Sequence, residues 1–121
     1  GKDELFIVDD KLGTPTYTHD FASNVKLLLE KEYWGLYNMV CGGITGRYEV
    51  ATELVNVLGL RDSIKITPVT SDYWKEEYFA ERPSSERLIN KKLELRGLNI
   101  MRDWRVCLKE YIENYYQGYL D

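Results

Sequence analysis

The sequence predicts a small α/β lobe of short, mostly parallel strands with flanking helices and a helical C-terminus. Three observations carry that expectation. Short apolar runs at 5–8, 36–40 and 63–69 alternate with amphipathic segments. The joins between them are short, and strands separated by helices usually lie parallel. Beyond residue 86 the periodic segments are helical only.

The first run, "LFIV", suits a buried strand. "DDKLGTPTYTHD" follows, and Gly13 and Pro15 forbid regular structure there. Residues 18–31 turn helical, with Phe21, Val25, Leu28 and Leu29 at i, i+4, i+7 and i+8. Thr18 or Asp20 is suited to cap that helix. "LYNMV" (36–40) reads as a second strand, and residues 45–58 as a helix with Ala51, Leu54, Val55 and Leu58 on one face. Thr45 is its expected cap and Gly59 its left-handed stop. "SIKITPV" (63–69) is rich in β-branched residues, and Pro68 places it at an edge or an end. The stretch 71–85 is irregular, aromatic and charged. A helix is expected over 86–96, and a last one from about Asp103 with Trp104, Leu108, Tyr111, Ile112, Tyr115 and Tyr119 on one stripe.

The 121 residues suit one domain (1–121) around one core. With 44% apolar and 30% charged residues the chain reads as globular and soluble. A net charge of −4, with lysines and arginines scattered among acids, gives no footprint for nucleic acid. No apolar run approaches the ~20 residues of a membrane span, and no stretch reads as a secretory signal. "KDEL" at 2–5 is not at a C-terminus, where alone it is read. Cys41 and Cys107 sit in apolar segments and read as buried free thiols of a cytoplasmic protein rather than a disulfide.

"CGGITG" (41–46) lies between a strand and a helix, where a dinucleotide-binding turn would lie. The fingerprint G-x-G-x-x-G needs a glycine at 41 for the tight turn, and the chain has Cys41; only Gly43 and Gly46 fill their slots. The ribose-binding acid is missing too, because Asp72 lies beyond the end of the next strand and Asp62 precedes it. The turn therefore reads as a place where helix and strand approach closely, and no cofactor is expected on this chain; a weaker phosphate contact at the helix N-terminus is the alternative.

The other constellations are weak. His19 beside Asp20 reads as a solvated helix start, and one histidine with two distant cysteines makes no zinc pattern. Asp9-Asp10 reads as a charged loop at a strand end, with metal binding as the alternative. No G-x-S-x-G elbow and no Walker loop occurs, so no catalytic residue is expected. "ERPSSERL" (81–88) carries more. Pro83 stiffens the chain beside Arg82, serines follow as caps, and a guanidinium held there suits a phosphate or diphosphate through forked hydrogen bonds. The alternative is a surface arginine paired with Glu81 or Glu86. Tyr73, Trp74, Tyr78 and Phe79 could wall a pocket for a planar ring or pack over the sheet edge.

Taken in order, "IVDDKLGTPTYTHDFA", "GLYNMVCGGITGRYEVATELVNVLGL", "KITPVTSDYW", "RPSSERLINKKLELRGL" and "DWRVCLKEYI" resemble dTDP-4-dehydrorhamnose reductases over nearly the whole chain. "GTPTYTHDFA" and "RP…L…KKL" are the most specific parts. The resemblance implies the C-terminal, substrate-binding half of an extended short-chain dehydrogenase. In that family a first half carries the NAD(P)H turn and the Tyr-x-x-x-Lys catalytic pair, and neither occurs here. The resemblance also implies that Gly13, Pro15 and Thr16 lie near a dTDP-sugar and that Arg82 meets its diphosphate. Asp10 stands where the family often has glutamine, and Glu86 and Ile89 replace a usual serine and aspartate. The family also includes regulatory relatives without reductase activity, such as the β subunit of methionine adenosyltransferase, so a protein-binding module is the alternative. A lobe without its other half should expose apolar surface, so homodimers or swapped assemblies are expected in isolation.

Overall fold

A computed structural model describes residues 3–77, 80–116 and 118. Its elements in chain order are β1 (Glu4–Val8), α1 (Thr18–Lys31), α2 (Arg47–Val57), β2 (Lys65–Val69), a 3-10 turn (Ser71–Trp74), α3 (Lys91–Leu95) and α4 (Trp104–Tyr115). The predicted α/β lobe with a helical C-terminus is present, and α1 has the expected span.

β1 and β2 pair in parallel, Glu4 against Lys65 through Val8 against Val69. Lys65 N–H donates to Asp3 O and Asp9 N–H to Val69 O, so the odd-numbered residues of β2 face β1. Pro68 then turns its missing donor to the open edge, where no partner is lost. α2 packs on both strands and on α4. It ends as expected at Gly59, at φ +71°, with Leu60 N–H bonded back to Val55 O.

Residues 36–40 are not a strand of the sheet. Their neighbour is a side chain: Asn90 Oδ1 accepts from Val40 N–H at 2.9 Å, and Asn90 Nδ2 donates to Val40 O at 2.8 Å. Further along, Gly42 N–H donates to Arg102 O, and Trp104 N–H to Gly42 O. Val40 and Gly42 are thus paired outside the two-stranded sheet, which the apolar pattern could not reveal.

The helix expected over 86–96 shrinks to α3. Leu12 N–H donates to Ser84 O, and Glu86 N–H donates to Leu12 O. This pairing holds Ser84–Glu86 extended, so Ser85 caps no helix; its Oγ instead accepts from the Arg87 Nε. The expected caps at Thr18, Asp20 and Thr45 are also not formed. Thr45 Oγ1 donates to the Glu49 carboxylate at 3.0 Å, and Gly46 is the residue that precedes α2.

The core lies between the 39–42 segment and α4. Cys41, Met101, Trp104 and Cys107 form it, with Tyr17, Met39, Val50 and Leu108 packed around. Both cysteines are buried free thiols, as expected. Trp104 and Ile112 of the predicted stripe are buried, while Tyr111 and Tyr115 are exposed and Tyr119 lies outside the described residues.

The inward face of α1 differs most from expectation. Asp20 and Asn24 are its buried residues, while Phe21 and Leu29 are exposed. The two polar residues sit one turn apart and serve the backbone of the 98–102 segment. Asn24 Nδ2 donates to Leu98 O at 2.8 Å, Ile100 N–H donates to Asn24 Oδ1 at 3.0 Å, and Arg102 N–H donates to Asp20 Oδ2 at 2.9 Å. Of the apolar stripe of α1, Phe21 and Leu29 face outward, while Val25 and Leu28 are half-buried.

Candidate functional site

The loop after β1 is the organising piece. Asp10 anchors its start: its carboxylate accepts from Ser71 N–H and Ser71 Oγ, and those bonds hold its pKa below the usual carboxylate range. That explains the Asp9-Asp10 pair as a tie between strand ends. Lys11 Nζ donates to Arg82 O at 3.0 Å, and Leu12 pairs with Ser84–Glu86 as above. Gly13 N–H donates to Thr45 O at 2.8 Å, and Thr14 Oγ1 to Gly43 O at 2.6 Å. Tyr17 N–H closes the loop on Cys41 Sγ at 3.3 Å.

Three motifs distant in sequence thereby meet. "KLGTPT" runs between "CGGITG" on one side and "RPSSE" on the other. Gly13 is half-buried in the middle, Pro15 and Thr16 are exposed beside it, and Arg82 is exposed at the rim. Among the described residues the Arg82 guanidinium has no hydrogen bond or ion pair, so pairing with Glu81 or Glu86 is not formed. Glu86 lies instead against Gly13: its Oε2 stands 3.8 Å from where a Cβ on Gly13 would be. It sets a negative charge beside the exposed loop.

The glycine turn fits poorly around a dinucleotide pyrophosphate. A Cβ on Gly43 would stand 2.8 Å from Asp103 Oδ2 and 2.9 Å from Trp104 Cδ1; one on Gly46 would stand 2.6 Å from Lys11 O. The close approaches are made by the chain itself, and the neighbouring carboxylate and carbonyl oxygens repel phosphate. The close contact expected between helix and strand is instead with the start of α4 and with the Lys11 carbonyl.

His19 does not pair with Asp20. Its Nε2 shares a hydrogen bond of 2.8 Å with Tyr115 OH, and its ring lies 5.0 Å from that of Tyr17. Asp20 faces Arg102, whose Nη2 donates to Oδ1 at 2.7 Å; the same guanidinium reaches Glu110 at 2.7 Å. Those bonds hold the Asp20 and Glu110 carboxyls low and raise Arg102 further. Cys107 Sγ also donates to Asp20 at 3.4 Å, and burial pushes the Cys107 thiol up to about 12. Sequence reasoning missed Asp20, Asn24, Asn90 and Arg102. Polar residues at 20 and 24, four apart on one helix face, were the available signal.

Of the aromatic residues before Arg82, Tyr73 stacks on Phe6 of β1 with centroids 5.3 Å apart and meets Trp74 edge-on. That is packing over the sheet edge. Tyr78 and Phe79 lie outside the described residues.

Comparison with known proteins places the chain in a family. Residues 1–117 match a family model described as the RmlD substrate binding domain. The chain belongs to that family. A spore coat polysaccharide biosynthesis protein, SpsK, of Bacillus subtilis is 34% identical over 112 residues, which are 93% of this chain and 38% of the relative. The crystal structure of a dTDP-4-dehydrorhamnose reductase from Clostridium acetobutylicum superposes with a TM-score of 0.86 at 37% identity, over 93% of this chain and 39% of that one. The Bacillus anthracis reductase, solved in complex with NADP, shares the fold with a TM-score of 0.83 at 23% identity, over 94% of this chain and 38% of that one. This RmlD substrate-binding domain thus spans under two-fifths of the length of these relatives. None of the three is described as a regulatory protein, and the regulatory alternative is not favoured.

Proposed function

We propose that this domain is the sugar-nucleotide grip of a dTDP-4-dehydrorhamnose reductase, which reduces dTDP-4-keto-6-deoxy-L-mannose to dTDP-L-rhamnose. The observation that carries the reading is the loop between "CGGITG" and "RPSSE", which holds Gly13, Pro15 and Thr16 beside Arg82, whose guanidinium has no partner among the described residues. Half of the grip is backbone and small side chains, against which a sugar can lie closely. The other half is a guanidinium without a counter-charge among the described residues, suited to a diphosphate. Binding energy gained on the nucleotide orients the distant keto group.

In the whole reductase NAD(P)H supplies the hydride, and a cofactor-binding half with its Tyr-x-x-x-Lys pair is the partner of this domain. The tyrosine protonates the developing oxyanion, its pKa lowered by the lysine. This domain holds the substrate, excludes water from one side and moves no proton itself. The proposal includes a cytoplasmic protein, with self-association of the lobe when it stands alone.

A charge-assisted contact to the diphosphate contributes roughly 1.5–3 kcal/mol. Calorimetric titration with dTDP-L-rhamnose should therefore show Arg82→Ala binding about 10- to 100-fold more weakly than the unaltered chain. Equal affinity in the two proteins contradicts the role given to Arg82. Steady NADPH oxidation by the 121-residue chain with the keto-sugar contradicts the division of labour.

A further inference from the structure

We propose that Asp20, Cys41 and Cys107 form a buried binding site for one thiophilic divalent cation of the Zn2+ class. The three residues come from α1, the 36–42 segment and α4, and their ligand atoms all lie within 4.8 Å of one another. The two sulfurs are 3.7 Å apart, and Cys107 Sγ is 3.4 Å from Asp20 Oδ2. Two thiolates each ~2.3 Å from a shared tetrahedral cation stand about 3.7 Å apart, so the sulfur pair is already spaced for one ion. All three residues are buried.

The surroundings suit a charged occupant. Tyr17 N–H already points at Cys41 Sγ, at 3.3 Å, a contact that strengthens on a thiolate. Arg102 grips Asp20 through Nε and Nη2, which orients the carboxylate. Two thiolates and one carboxylate against a divalent cation leave one negative charge. The Arg102 guanidinium offsets it, and Glu110 in turn balances Arg102 toward solvent. Without the cation the site is satisfied by protons instead: Cys41 donates to Cys107, and Cys107 to Asp20.

Binding breaks two S–H bonds and forms two metal–sulfur bonds and one metal–oxygen bond, and both protons leave to solvent. Affinity must then rise with pH. The charged and titratable groups around the thiols are Asp20, the Arg102–Glu110 pair behind it and the Tyr17 ring; Asp20 and Glu110 are held low while Arg102 and Tyr17 are raised, so the protons released on binding come from the thiols. The site is independent of the sugar-nucleotide reading, because no residue of the proposed grip takes part.

The test is Cd2+ titration of the reduced full chain, followed in the ultraviolet for the thiolate-to-cadmium charge-transfer band, with Zn2+ as competitor. The expected result is one equivalent bound, with the band lost in both Cys41→Ser and Cys107→Ser. Zn2+ at a hundredfold over Kd should raise the Tm of the unaltered chain by about 10 °C. A lightly buffered titration should release about two protons per cation. Should either serine variant fail to fold, the last two measurements on the unaltered chain decide. No band together with no Tm shift, proton release well below two, or unchanged Cd2+ binding by a folded serine variant overturns the site.

Discussion

Asp20 is a charged residue at the centre of a small protein, and its worth depends on pH. Hydrogen bonds from Arg102 hold its carboxyl below the usual range against the opposing effect of burial. A depressed folded-state value means the contribution is present above the unfolded carboxylate range, near ~3.9, and is lost as pH falls through the folded value. Urea melts should therefore show stability falling more steeply below about pH 4 in the unaltered chain than in Asp20→Asn. At neutral pH, Asp20→Asn should cost about 2–3 kcal/mol. The lower end is the better guide, because the Arg102 side chain is 40% exposed and screened by water. Glu86 makes the opposite case, since its carboxylate beside Gly13 opposes an anionic ligand. Glu86→Ser should bind dTDP-L-rhamnose a few-fold more tightly at low salt, with the gain shrinking as salt rises. An unchanged affinity means that the diphosphate lies elsewhere.

The elements were legible in proportion to how far their own residues decide them. α1 and α4 carry strong periodicity; α1 has the expected span, and α4 begins where expected, though it ends at Tyr115. The 36–40 segment carries a strand's composition, but strand identity needs a neighbour, and Asn90 stands where a strand would. Asn90→Ala should leave Val40 N–H and O unpaired and cost about 2 kcal/mol or more by chemical denaturation. A loss under about 0.5 kcal/mol would show that the side chain is not the segment's partner. The turns make a sharper comparison. Gly46→Ala sets a Cβ 2.6 Å from a backbone oxygen that no rotamer change relieves, for about 1–3 kcal/mol. Gly59 is at φ +71° with open space around it, so Gly59→Ala costs about 1–2 kcal/mol through its own backbone alone. Only Gly46→Ala should also shift the Lys11–Thr14 loop and weaken nucleotide binding. The sequence marked both glycines, but what each one approaches is tertiary information.

At the scale of the whole molecule the lobe leaves several large apolar side chains uncovered among its described residues. Leu36 is 89% exposed and Trp34 68%, and Phe21 and Leu29 of α1 are exposed too. Apolar surface of that kind is what a domain shows when the rest of a longer protein packs against it. The family, the α/β class and the conjunction of "GTPT" with "RPSS" could be read from motifs in order along the chain. The polar ladder from Asp20 and Asn24 to residues 98–102 could not, because it depends on which face of α1 turns inward. Nitrogen-edited NMR of the chain titrated with dTDP-L-rhamnose tests the central claim most directly. The account predicts amide shifts concentrated at 11–17, 43–46 and 80–86, with α3 and the exposed stripe of α1 unmoved. Shifts centred on that stripe, or none at saturating nucleotide, would contradict it.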